Sequence, residues 1–270
     1  MKRMEKNILR RSFIGCTFNK RKFWVDPYSD EINLGSFLNA NWQLKYILES
    51  KNYTSGWLLD IGCGKKPFLY VFNNVERYIG IDWLKSPHLN SEVDILSDAR
   101  KLPFKDESFD TILCTEVIEH IYEFKTAISE MNRILKNGGV LILSTPYFYW
   151  VHESPYDFFR FTKNGIVKLM EENGFKIEHF YSRGGAFSVF IDMYGKVMDQ
   201  IIEKLFHKVK EFRFLNYVRS FLCRLLIVMV QRLYSVITFA VHHRFPKLAE
   251  KLNIQDKITL GYFMINRKVV

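Results

Sequence analysis

The chain has 270 residues, 48% apolar and 25% charged, a balance that excludes disordered, collagen-like and disulfide-scaffold proteins and supplies material for one large core. Its formal net charge of +10 is unevenly spread: residues 1–24 carry eight Lys/Arg against one acid and 196–251 carry 11 against four, while 25–195 carry 17 against 23. A slightly acidic body thus lies between two basic segments, which suit a polyanion, either nucleic acid or an anionic membrane surface, or else an ordinary solvated surface.

Cys16, Cys63, Cys114 and Cys223 form no CxxC and have no histidine spacing suited to zinc. They read as reduced thiols in a cytoplasmic protein without a metal centre. The opening MKRMEKNILRRSF lacks the apolar run of a secretory signal.

In chain order, Trp57–Ile61 and Tyr78–Ile81 are short apolar runs that predict buried parallel strands. Residues 66–75 between them read as a weak helix. Val93–Ile95 is a third strand candidate and Phe109–Cys114 a fourth, opened by the turn residues 106–108. From 123 to 135, Phe124, Ala127, Ile128, Met131, Ile134 and Leu135 recur at helical spacing, with Lys136-Asn137-Gly138-Gly139 as the stop. Val140–Ser144 is the fifth strand, Thr162–Glu172 a helix ended by Asn173-Gly174, and Lys176–Tyr181 the sixth strand. This alternation implies a doubly wound parallel sheet. Residues 184–253, basic and nearly free of Gly and Pro, read as a helical insertion before a final strand at Ile258–Asn266. The expected domains are a basic arm (1–24), a core (25–183), the insertion (184–253) and the core's last strand (254–270).

The first chemical signal is Asp60-Ile61-Gly62-Cys63-Gly64 directly after strand one. Paired glycines let the backbone turn tightly and approach a ligand. Asp82 ends strand two, where a carboxylate can accept from both hydroxyls of a ribose. Pro67 occupies the place of a dinucleotide fingerprint's third glycine, which argues against NAD, and no Walker A run follows. Cys63 reads as a small packing residue rather than a nucleophile.

LLDIGCG (58–64), YIGIDW (78–83), Asp98-Ala99 with LPF (102–104), and FDTILCTEVIEHI (109–121) together resemble, in order, the motifs of the class I S-adenosylmethionine-dependent methyltransferases of the type 11 kind. The resemblance covers about residues 50–182 and the last strand. It implies a Rossmann-like, seven-stranded, mostly parallel α/β sheet and S-adenosylmethionine as cofactor, leaving S-adenosylhomocysteine. It further implies that Asp60, Gly62, Cys63 and Gly64 form the cofactor loop and that Asp82 holds the ribose. Trp83 would lie on the adenine, Asp98 and Ala99 would bind its edge, and Thr115 and Glu116 would border the methionine moiety. Capping and core packing remain the alternative roles of these side chains.

After strand five, TPYFYWVHESPYDFFRFT (145–162) concentrates aromatic residues where ligands bind in open α/β sheets. Its HxxPxDxxRxT pattern resembles a methyltransferase subgroup found in bacterial glycan-assembly pathways. Tyr147, Tyr149, Tyr156 and Arg160 are candidate acceptor-binding residues, and Asp157 and Arg160 read as an ion pair fixing the loop. Methyl transfer to a hydroxyl needs alignment and removal of a proton. His152, with an ordinary imidazole pKa of about 6.5, is the candidate base and His120 the second. A structural hydrogen bond from His152 is the competing role.

Arg224, Gln231, Ser235, Thr238 and His242 fall on one helical stripe of an otherwise apolar stretch, with Lys204, Lys208, Lys210, Arg213 and Arg219 before it. The charges interrupt any transmembrane run. Residues 204–242 therefore read as an amphipathic anchor on the inner face of an anionic membrane, a packed hairpin, or a dimer interface. Monomer and homodimer both stay open. The expected function is O-methylation of a saccharide or lipid-linked small molecule. A nucleic-acid methyltransferase is the enzyme alternative, weakened by the lack of an NPPY-type or Cys-dependent signature and of an RNA-binding module. A non-catalytic cofactor-binding scaffold is the alternative from another class.

Overall fold

The computed structural model describes residues 34–88, 91–206 and 258–269. They divide into two compact units, Trp42–Arg183 with Thr259–Val270, and Met1–Asn41 with Gly184–Ile258. The N-terminal arm 1–24 and the polar stripe from Arg224 to His242 lie outside the described residues.

The first unit is built on a seven-stranded sheet in the order β3-β2-β1-β4-β5-β7-β6. Its strands are β1 (Trp57–Ile61), β2 (Arg77–Asp82), β3 (Ile95–Leu96), β4 (Phe109–Thr115), β5 (Leu135–Pro146), β6 (Phe175–Arg183) and β7 (Gly261–Lys268). The pairs β1–β2, β2–β3, β1–β4 and β4–β5 are parallel, and β7 runs antiparallel to both β5 and β6. This is the expected Rossmann-like, mostly parallel sheet. The central strands are apolar on both faces: Leu58, Leu59, Ile112, Leu113, Leu141, Ile142 and Leu143 are all fully buried, as strands covered on both sides require. The order reverses between β1 and β4, so a crevice opens at their carboxyl ends, where ligands bind in such sheets.

Helix α1, Leu34–Ser50, has no counterpart in the expected elements, whereas the two expected helices are present. Helix α2 is Phe124–Ile134, which buries Ala127, Ile128, Met131 and Ile134 along one face. Helix α3 (Lys163–Glu172) is capped by Thr162, whose hydroxyl accepts from the Gly165 amide at 3.1 Å, and ends at Asn173 and Gly174, the latter at φ +76°.

Other elements differ from expectation for local reasons. Residues 66–75 form successive turns, with amide-to-carbonyl bonds from Leu69 to Lys66 (3.2 Å) and Val71 to Phe68 (2.9 Å). Lys66, at φ +48°, lies outside the helical backbone region, so no helix runs through it. Lys136–Gly139 does not cap α2, because Leu135 is already extended and paired with Phe109. The register then jumps to Thr111 opposite Val140, so these four residues bulge from β5. The run from Val117, whose place before the helix suggests that the helix starts there, is instead a 3-10 turn, Ile118–His120, separate from α2. Within the second unit, α4 (Ala186–Phe206) buries an ion pair between Asp192 and Lys196 and exposes Phe190, Met193, Tyr194 and Val197. No helix among the described residues is long and apolar enough to cross a membrane.

A buried polar ring joins four elements of the first unit. Arg183, at the end of β6 and 0% exposed, donates from Nη1 to Gln43 Oε1 of α1 (2.7 Å) and from Nη2 to Glu116 Oε2 (3.0 Å) and the Thr145 carbonyl (3.0 Å). Ser144 Oγ of β5 accepts from Gln43 Nε2 (2.9 Å) and donates to Glu116 Oε1 (2.8 Å), which closes the ring. Gly261 is required for the guanidinium to fit: a Cβ there would sit 2.2 Å from Arg183 Nη2 and 2.4 Å from the Thr145 oxygen. Replacing Arg183 by Met is expected to cost about 3 kcal/mol or more by removing the cation from Glu116 and the donors from Gln43 Oε1 and the Thr145 carbonyl, and Gly261→Ala about 1–3 kcal/mol through overpacking. Both are measured by urea unfolding.

Candidate active site

The loop after β1 is tied to β2 by its backbone. The Gly62 and Cys63 amides both donate to the Ile81 carbonyl, at 2.9 and 3.0 Å. Gly62 has φ +70°, and a Cβ on it would lie 2.4 Å from Val117 Cγ2. Glycine therefore lets the segment after β4 cross directly over the loop. Asp82 is 5% exposed, and its Oδ2 accepts from the Gly64 amide (3.0 Å) and its Oδ1 from the Trp83 amide (2.8 Å). Each oxygen keeps a further acceptor site for a hydroxyl.

Asp60, also buried, accepts a 2.5 Å hydrogen bond from the Tyr78 hydroxyl. Burial pushes its carboxyl up to about 7, Tyr78 opposes the shift and the charge of Asp82 adds to it. Burial likewise pushes the Cys63 thiol up to about 12, which makes a packing role for this side chain consistent and a nucleophile unnecessary. Asp98 differs in kind. Both its oxygens are engaged by Arg100, at 3.0 Å from Nε and 2.6 Å from Nη2, and Arg100 holds its carboxyl below the ordinary range. Ala99 is buried in the core. Thr115 ends β4, and Glu116 beyond it sits at φ +55°, a strained backbone held by the Arg183 ring.

The loop between β5 and α3 supplies the other wall. Asp157 accepts at Oδ2 from the His152 amide (2.9 Å) and lies 3.1 Å from His152 Nδ1, and Arg160 donates to both its oxygens at 2.6 and 2.7 Å. Burial works to raise the Asp157 carboxyl, but these donors outweigh it and hold it at about 2. The expected Asp157–Arg160 pair is thus present, and Arg160 also binds the carbonyls of Trp150 (2.8 Å) and Phe159 (2.8 Å). Arg160 is fully engaged in fixing the loop. Burial and the neighbouring His120 lower the pKa of His152 below the ordinary imidazole value.

His120 places Nδ1 2.9 Å from the Tyr156 carbonyl, and its ring meets that of His152 at 4.7 Å. Trp83 packs edge-on against Tyr156 at 4.9 Å, so the end of β2 and the β5–α3 loop meet at one crevice. Tyr149 lies 5.0 Å from His152, whereas Tyr147 packs on Tyr262 and the core. Phe148, Trp150, Val151 and Phe158 are exposed on the same loop.

The sequence reading missed Glu119, Glu153 and His88. Glu119 is fully buried, and its carboxyl is pushed well above its ordinary value by burial and then by Glu116. Glu153 bonds His88 at 2.9 Å and approaches His120 at 3.9 Å. The only sequence signal for Glu119 was its place between Ile118 and His120 in an otherwise apolar run. The absence of metal-ligand spacing did not anticipate that Glu119, His120 and His152 converge.

A family profile described as a methyltransferase domain matches residues 59–143. An uncharacterized protein of Methanocaldococcus jannaschii is 32% identical over 178 residues, 60% of this chain and 78% of that protein. A probable S-adenosylmethionine-dependent methyltransferase of Mycolicibacterium smegmatis is 30% identical over 45% of this chain, which spans 52% of that relative's length. The solved S-adenosylmethionine-dependent methyltransferase of Mesorhizobium loti shares the fold, with a TM-score of 0.50 at 13% identity over 86% of this chain and 100% of that one. Taken with the crevice that the glycine loop and Asp82 form, these matches establish that the chain belongs to the class I S-adenosylmethionine-dependent methyltransferases.

Proposed function

We propose that the chain methylates an oxygen of a small, partly apolar acceptor, a saccharide or lipid-linked saccharide by class. The observation that carries this reading is the convergence of His120, His152 and Glu119 at the crevice where the loop beyond β4 crosses Gly62. When bound, S-adenosylmethionine supplies an electrophilic methyl group on a sulfonium. Asp82 accepts the ribose hydroxyls with its spare lone pairs, and Trp83, beside Tyr156, offers a flat platform to the adenine. The Gly62–Gly64 backbone and Asp60 face the amino-acid portion, Thr115 and Glu116 border it, and Asp98 with Ala99 flanks the base.

Tyr149, Tyr156 and the exposed Phe148, Trp150 and Phe158 line an acceptor region suited to a sugar face or an isoprenoid chain. Arg160 acts through Asp157 to hold His152 in place. The exposed stripe Phe190, Met193, Tyr194 and Val197 on α4, followed in sequence by Lys204, Lys208, Lys210 and Arg213, supports docking on an anionic membrane and thereby a lipid-linked acceptor.

Calorimetry with S-adenosylhomocysteine tests the cofactor site. Asp82→Asn is expected to lower affinity by about tenfold or more, the loss of one charge-assisted hydrogen bond or two. The amino group of the cofactor favours ionised Asp60, whose neighbours are Tyr78, Asp82 and Lys66. Because Asp60 is protonated below about 7, binding there must expel a proton, so affinity should rise with pH through neutrality in the wild type and stay flat in Asp60→Asn. With labelled S-adenosylmethionine and a panel of glycan and polyprenyl-linked acceptors, His152→Asn should reduce turnover by roughly 10²-fold or more without changing S-adenosylhomocysteine affinity.

A further inference from the structure

Glu119 is 0% exposed, and neither of its carboxyl oxygens has a hydrogen-bond partner in another residue among those described. A buried carboxylate in that state is costly unless a cation or a donor meets it. Two imidazoles stand beside it: the ligand atoms of Glu119, His120 and His152 all lie within 4.8 Å of one another.

Both imidazoles are held in the tautomer a cation needs. His120 Nδ1 faces the Tyr156 carbonyl at 2.9 Å and His152 Nδ1 faces Asp157 Oδ2 at 3.1 Å. A carbonyl can only accept, so His120 Nδ1 carries the hydrogen and its Nε2 keeps the lone pair; His152 Nδ1 faces the Asp157 carboxylate at 3.1 Å and, farther off, Arg160 Nη2 at 3.5 Å, and the nearer acceptor favours the same tautomer. Metal-binding histidines are oriented in this way, by a carbonyl or carboxylate on the far nitrogen. Ligand atoms around a cation at about 2.1 Å sit roughly 3.0–3.4 Å apart. About an ångström of side-chain movement therefore closes the set, and His120 Nε2 already stands 3.8 Å from Glu119 Oε1.

We propose that Glu119, His120 and His152 bind a divalent transition-metal ion, of the kind that takes two imidazoles and a carboxylate and leaves coordination positions open. The proposal rests on the methyltransferase reading and deepens it, since the open positions take the acceptor hydroxyl, or two adjacent hydroxyls of a saccharide. The cation stabilises the developing alkoxide. The oxygen lone pair forms the new bond to the methyl carbon, the carbon–sulfur bond breaks with its electron pair passing to sulfur, and the hydroxyl proton leaves to water. Glu153, bound to His88 and 3.9 Å from His120 Nε2, adds negative charge at the rim.

The test uses the full chain stripped with EDTA and titrated with Co²⁺, followed by its visible d–d absorption, with Mn²⁺ followed by electron paramagnetic resonance and S-adenosylhomocysteine binding measured on the same samples. One Co²⁺ per chain is expected, with affinity reduced at least about tenfold in Glu119→Gln and in His152→Asn while S-adenosylhomocysteine affinity is kept. His152→Asn, in a partly exposed loop, decides the matter if Glu119→Gln does not fold. A chain that binds S-adenosylhomocysteine but neither Co²⁺ nor Mn²⁺ overturns the metal site and leaves the methyltransferase reading standing, and binding indifferent to both substitutions also overturns it. Co²⁺ held by the triad in a chain that ignores S-adenosylhomocysteine supports the site and sinks the functional reading instead.

Discussion

The buried guanidinium of Arg183 is the constraint on which the crevice depends. A fully desolvated cation must be matched by acceptors in fixed places, and here they come from Gln43, Glu116 and the Thr145 carbonyl. Meeting that demand locks Glu116 in a left-handed backbone at the tip of β4. The chain beyond it is thereby directed across Gly62, with Val117 against the glycine, and on to Glu119 and His120. The polar ring thus sets the exit direction of the chain beyond β4, which leads to Glu119 and His120.

The acids of the crevice are sorted by their donors. Asp157 has a guanidinium and an amide and stays ionised far below neutrality, whereas Asp60 has one phenol and a neighbouring acid and titrates near it. Glu119 has no such donor, and burial raises its carboxyl well above the ordinary carboxylate range. Burial alone acts in one direction on all three. The difference lies in which residues the loops bring to them, and that difference divides scaffold from candidate chemistry.

Much of this was legible in the chain. Strands β1, β2 and β4 are short apolar runs bounded by turn residues, and buried parallel strands leave that trace because both faces are covered. The glycine loop and Asp82 were legible because their roles are local: a turn, and a strand end. What failed was local pattern without local cause. Residues 66–75 read as a weak helix, yet Lys66 takes a left-handed backbone and the segment closes as successive turns. Lys136–Gly139 has the composition of a helix stop, yet Leu135 is captured by Phe109 before the glycines are reached. Arg183 resembled any charge at a strand end, and Glu119 any acid on a helix face. Their surroundings come from residues far away in sequence, Gln43 for one and the β5–α3 loop, whose Phe158 amide donates to the Glu119 carbonyl, for the other, and no window along the chain contains both partners.

The placement of β7 has a consequence for assembly. The chain leaves the sheet at Arg183 and returns at Thr259, where the Thr259 hydroxyl donates to the Arg183 carbonyl at 2.8 Å and the Leu260 amide donates to it at 3.0 Å. The excursion between them, roughly 75 residues, begins and ends at one point. Closing such a loop costs only about 0.6 kcal/mol more for each doubling of its length, so the sheet is nearly indifferent to how much chain is looped out. The strand it delivers is not peripheral, since β7 fills the gap between β5 and β6. During synthesis, β5 and β6 therefore wait with facing edges unpaired until the intervening segment has emerged, and the excursion sets how long those edges stay open to mispairing.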